Sequence, residues 1–134
     1  NNCLEAAAAP WALWPVIRLQ YPNAPYDEWG FENFLNKTPN FDVNILKTAI
    51  QKMAVTIRNL SLILAPQHVT LSGPFTQNHA IFERLCHEFR ALLPPNSNQA
   101  AHNQVTLSAS RAGIKDEIIG AAHPLFAMSL QELQ

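Results

Sequence analysis

From Asp42 to Leu64 the apolar residues Val43, Leu46, Ile50, Met53, Ile57, Leu60 and Leu64 recur at alternating steps of three and four. That spacing keeps them on one side of a 3.6-residue turn and predicts a core-facing helix. Asp42 is placed to cap it, and Pro66, which cannot continue the hydrogen-bond ladder, ends it. His68 to Ser72 follow as a short strand with β-branched residues, closed by Gly73-Pro74. Helical spacing returns between Thr76 and Leu93 through Ile81, Leu85, Phe89 and Leu92, with Thr76 as the expected cap and Pro94-Pro95 as the stop. A polar loop over 96–103, a second strand from Gln104 to Ala109 and a turn at Gly113 lead to a final helix, Ile114 to about Met128. Asp116 and Glu117 fall in its first turn, where the helix dipole favours negative charge, and Pro124 is expected to kink it.

The front of the chain is helical but more broken. Leu4 to Ala9 is alanine-rich, and Pro10 suits the first turn of a fresh helix. Trp11, Leu13, Trp14 and Ile17 give that helix an apolar face, which Pro15 is expected to bend. Residues 21–26 hold two prolines and connect to a short aromatic helix around Trp29, Phe31 and Phe34. The pattern divides into a helical segment over 1–41 and an α-β-α-β-α unit over 42–134, one incomplete domain.

Helix, strand, helix, strand, helix implies two parallel strands joined by a right-handed crossover. A two-stranded sheet is seldom stable alone, and parallel sheets normally need cover on both faces. Further strands are therefore expected from elsewhere. A start at Asn1 without an initiator methionine fits a cut inside a longer polypeptide.

Composition narrows the function classes. At 134 residues and 48% hydrophobic residues the chain has the size of one ordinary domain. Charged residues make up only 14%, the net charge is -1, and Lys and Arg are scattered, so the segment by itself is not expected to hold DNA. The longest purely apolar run, Leu62 to Ala65, falls far short of the ~20 residues that cross a bilayer, and no membrane role is expected. A cytoplasmic protein is expected. Cys3 and Cys86 give no disulfide framework, and Cys86 falls in an apolar helical pattern that predicts a buried, reduced thiol.

Candidate chemistry is sparse. Asn2-Cys3-Leu4-Glu5 resembles a capping box, in which Asn2 caps the helix and Glu5 reaches back to the Asn2 N–H. Cys3 has no second cysteine or histidine at metal-motif spacing. Ser72-Gly73-Pro74-Phe75 lies where a strand passes into a helix, a place where backbone N–H groups often meet phosphate, but Pro74 has no N–H to offer. His79, Glu83 and His87, four residues apart on one helix, fit either a metal ladder or, better, a solvated face. Asp27 and Glu28 adjoin without anything to make them an acid/base pair. The G-x-S-x-G, G-x-x-x-x-G-K-[ST] and H-E-x-x-H signatures are absent, and no enzyme activity is expected of this segment.

Three segments together carry a family resemblance. Asn2-Cys3-Leu4-Glu5-Ala6 resembles the end of the Cys-x-Cys-Gly-x-x-Gly-Cys-Leu-Glu segment of the ROK family of sugar kinases, repressors and open reading frames. Ile63 to Phe75 is similar to the helix end, Asn-Pro or Asp-Pro step and strand that precede that family's glycine turn. Ala112-Gly113-Ile114 with Ile118 to Ala122 resembles its closing helix. Two positions depart from the pattern: Asn2 stands where a glycine is usual, and Pro74 replaces the second glycine of the kinase nucleotide turn.

The resemblance implies an α/β fold, helix-rich with two parallel strands, forming part of the C-terminal lobe of an actin-like (ribonuclease H-like) ATPase. It implies that Glu5 contacts a sugar hydroxyl and that Cys3 supplies one thiolate to a structural zinc whose other ligands lie before Asn1. The implied protein is a NagC/XylR-type sugar-responsive transcriptional regulator. Its effector would be a sugar or sugar phosphate, DNA would be held only through a separate N-terminal domain, and the chain would form a homo-oligomer. A ROK-type kinase that phosphorylates a hexose with ATP is the alternative.

Overall fold

A computed structural model describes residues 3–93 and 105–110. The expected final helix from Ile114, the loop over 96–103 and the Pro94-Pro95 stop lie outside them. Within the described residues the chain forms α1 (Glu5–Ala8), α2 (Pro10–Gln20), α3 (Glu28–Asn36), a 3-10 turn (Val43–Leu46), α4 (Lys47–Leu64), β1 (His68–Leu71), α5 (Pro74–Gln77), α6 (His79–Ala91) and β2 (Thr106–Ala109). It is helix-rich α/β. The two strands pair in parallel, with His68 beside Thr106 and Leu71 beside Ala109.

One hydrophobic cluster ties these elements together. Leu13 and Ile17 of α2, Phe31 and Leu35 of α3, Leu46, Ile50 and Ile57 around α4, and Ile81, Leu85 and Phe89 of α6 are all buried. α4 and α6 pack on each other, and Arg58 Nε donates to the Leu92 carbonyl at 3.1 Å, binding α4 to the end of α6. Val69, Leu71, Val105 and Leu107 turn one face of the sheet onto this core. The front is stitched in by rings: Tyr21 stacks on Phe41 at 5.1 Å, meets Phe34 edge-on at 5.6 Å, and accepts the Asp42 N–H at its hydroxyl. Such pairs add to area burial because ring edges and faces carry opposite partial charge.

Several local details depart from the sequence pattern. The predicted helix from Asp42 opens with a tight 3-10 turn, which Asp42 caps by accepting the Asn44 N–H at 3.0 Å. Its stripe is only half buried: Ile50 is 2% exposed, whereas Leu60 is 51% and Leu64 is 70% exposed. Nothing among the described residues covers the end that runs past the packed neighbours of α4. Thr76 is not the cap of the next helix. Gly73, at φ +101°, and Pro74 start a separate short turn, α5, and Thr76 donates its hydroxyl back to the Gly73 carbonyl at 2.8 Å. The cap of α6 is Asn78, which accepts the Ile81 N–H. Pro15 is accommodated inside a continuous α2.

Gly30 marks a close approach in the front. Asp27 caps α3 by accepting the Gly30 N–H at 2.6 Å. A Cβ on Gly30 would lie 2.7 Å from the second oxygen of that same carboxylate and 2.8 Å from Pro25 Cβ.

Candidate functional site

Of the two residues singled out by the resemblance, Glu5 opens α1 and Cys3 lies two positions before it. The helix begins at Glu5, and Leu4, itself in helical conformation, takes the cap position without a side-chain hydrogen bond. Glu5 is therefore at the first helical position; the Asn2 half of the expected capping box lies outside the described residues. Ala8 is buried, and α1 packs on α4 and α2, so the turn is anchored from behind. Cys3 and Glu5 are both exposed on its outer side.

Cys3 brings one thiol to this end of the molecule. Among the described residues no group of three His, Cys, Asp or Glu side chains converges where a metal ion would sit. Cys3 alone does not make a zinc site, since structural zinc takes four ligands. His79, Glu83 and His87 are exposed along α6, with His79 Nδ1 4.0 Å from Glu83 Oε1. Asp27 serves as the cap of α3, which gives that carboxylate a structural task.

The turn after β1 is built by sterics. Gly73 adopts a backbone conformation that side chains resist, and Pro74, with its fixed φ, fits the first helical position that follows. Phe75 is held edge-on against Phe31 at 6.1 Å. With Pro74 in place, this turn lacks one of the N–H donors that would meet a phosphate.

Two features were not legible beforehand. On the open face of the sheet, His68 Nε2 lies 2.8 Å from Ser108 Oγ, and Thr70 Oγ1 lies 3.3 Å from the same oxygen. The partners are 40 and 38 residues apart, and only the register of β1 on β2 brings them together. The second is a cavity of about 320 Å³ between α6 and β2, lined by Cys86, Phe89, Arg90, Leu93, Val105, Thr106 and Leu107. Burial pushes the Cys86 thiol up from its ordinary range; Arg90 opposes this more weakly and Glu83 adds to it. Such a thiol is a poor nucleophile, because the thiolate is the reactive form. On the opposite flank of α6, Arg84 grips Glu88 Oε1 at 2.8 Å, and that hydrogen bond holds the Glu88 carboxyl below its usual range.

No family model, no curated protein and no solved structure matches the chain. No helix among the described residues is long and apolar enough to cross a membrane.

Proposed function

We propose that the chain is the carboxy-terminal part of a sugar-responsive transcriptional regulator of the ROK kind. In this reading Glu5 accepts a hydrogen bond from a sugar hydroxyl, Cys3 contributes one thiolate to a structural zinc completed by ligands outside this sequence, and the helices serve packing and oligomerisation. The observation that carries it is the exposed Cys3–Glu5 turn, anchored on α4 ahead of a helix–strand–helix–strand unit with two parallel strands. Two of the three segments of the resemblance fall on these elements, in the same order; the third, from Ala112, lies outside the described residues. Pro74 favours sensing over phosphoryl transfer, because it withdraws a donor from the turn where a kinase would hold nucleotide phosphate.

The test is calorimetric titration of the full-length protein with neutral hexoses and hexose phosphates, with and without Glu5→Ala. Loss of one charge-assisted hydrogen bond should weaken binding of the recognised sugar by at least about tenfold. Unchanged affinity for every sugar bound removes Glu5 from the site, and a full-length protein that binds none of them removes the sensor assignment.

A further inference from the structure

The outer edge of β2 is open. Thr106 and Ser110 donate their N–H groups to the Gln67 and Leu71 carbonyls at 3.1 and 2.6 Å, so every second residue of β2 faces β1. In a parallel pair the residues between them turn both backbone groups the other way, which leaves Leu107 and Ala109 presenting N–H and C=O outward. No described backbone group pairs with them. Residues 105–110 also hold no charge and no proline, the features that usually close a strand edge to partners. Beside this edge lies the cavity of about 320 Å³ under α6. Val105 and Leu107 form its floor and Phe89 and Leu93 its apolar walls, and no β1 residue reaches it, so it sits on the outer flank of the sheet. Among the described residues, exposed Arg90 is the one charged group in the lining, and its guanidinium makes no ion pair or hydrogen bond.

We propose that this groove takes an extended segment of a partner protein as a third strand on β2, with an apolar side chain in the cavity and an acidic side chain on Arg90. The outward N–H and C=O groups of Leu107 and Ala109 call for a backbone with the same repeat, which a strand supplies and a small molecule does not. The cavity accepts an apolar side chain pointing from that strand to the α6 face. The unpaired guanidinium complements a carboxylate and so sets the charge of the partner. Side chains on one face of a strand recur every second residue, about 6.7 Å apart, so the acidic residue belongs two positions from the apolar anchor and not next to it. Main-chain pairing gives such a contact its affinity, and the anchor and Arg90 give it selectivity. The groove is separate from the Cys3–Glu5 turn, and the proposal does not depend on sugar sensing.

The experiment is fluorescence polarisation of the full-length protein with fluorescein-labelled Ser-Thr-Leu-Thr-Asp-Ser and Ser-Asp-Thr-Leu-Thr-Ser, which cover both strand directions, beside Ser-Thr-Thr-Leu-Asp-Ser, in which anchor and acid adjoin. One of the first two should bind at least about tenfold more tightly than the third. Arg90→Glu should weaken that binding by at least about tenfold, and the same peptide with Lys in place of Asp should then recover it. Ala109→Pro removes one outward N–H without touching a bond to β1 and should weaken the preferred peptide several-fold, with circular dichroism verifying the fold of both variants. Equal binding of the three peptides, binding unchanged in Arg90→Glu, or binding of none of them overturns the proposal. Full binding by Ala109→Pro together with displacement of the peptide by hexanoate overturns the added strand in favour of a pocket for a small carboxylate.

Discussion

Asn78 donates its side-chain amide to the Leu35 carbonyl, 2.9 Å away and 43 residues earlier in the chain. The same amide reaches the Thr38 carbonyl at 3.2 Å, while its oxygen caps α6 through the Ile81 N–H. One side chain thus closes the end of α3 and the start of α6 at once. Asn78 is 4% exposed, so water cannot replace it. Asn78→Ala should cost about 2–3 kcal/mol, the sum of a lost cap and unsatisfied buried carbonyls. Asn78→Asp should keep the cap but turn a buried carboxylate oxygen on the Leu35 and Thr38 carbonyls, and should be no more stable than Asn78→Ala in urea unfolding.

The stripe of α4 should divide in energy as it divides in exposure. Ile50→Ala, at a position 2% exposed, should destabilise by about 2–4 kcal/mol through lost burial and a residual cavity. Leu64→Ala, at 70% exposed, should stay within about 0.5 kcal/mol in the same urea unfolding series. Equal losses at the two positions would mean that the end of α4 is covered after all.

Ala65 ends α4 in the left-handed region, at φ 46°, with its N–H on the Ser61 carbonyl. A Cβ is disfavoured there, and glycine is the usual occupant of such a helix end. Ala65→Gly should stabilise the chain by about 0.5–1 kcal/mol, read as a higher urea midpoint at unchanged slope.

Cys86 sets an alkaline limit to stability. Burial raises its folded pKa above the unfolded value, so its contribution is present below the ordinary thiol pKa and is lost as pH rises from there toward the folded value. The unfolding free energy should therefore decline above roughly pH 8.5, and Cys86→Ala should flatten that limb. In the native chain, iodoacetamide should modify exposed Cys3 well before buried Cys86.

Spacing along the chain was enough to place most elements. Apolar steps of three and four marked α4 and α6, β-branched residues bounded by Pro66 and Gly73 marked β1, and Pro10 marked the start of α2. Caps were harder to place, because they depend on where the backbone leaves the helix. Thr76 and Asn78 are both good cap residues two positions apart, and the choice between them follows from Gly73 and Pro74 opening a separate turn, which frees Asn78 to reach α3.

Local chemistry by itself marked α2, α4, β1 and α6 among the described residues, and showed that Cys86 lies inward, because periodicity, proline and glycine act over a few neighbouring residues. Which half of the α4 stripe is buried, the meeting of His68 with Ser108, and the bridge from Asn78 to Leu35 were decided only by tertiary structure. Each of these depends on strand register or helix packing between segments tens of residues apart, and no pattern within either segment encodes the distance to the other.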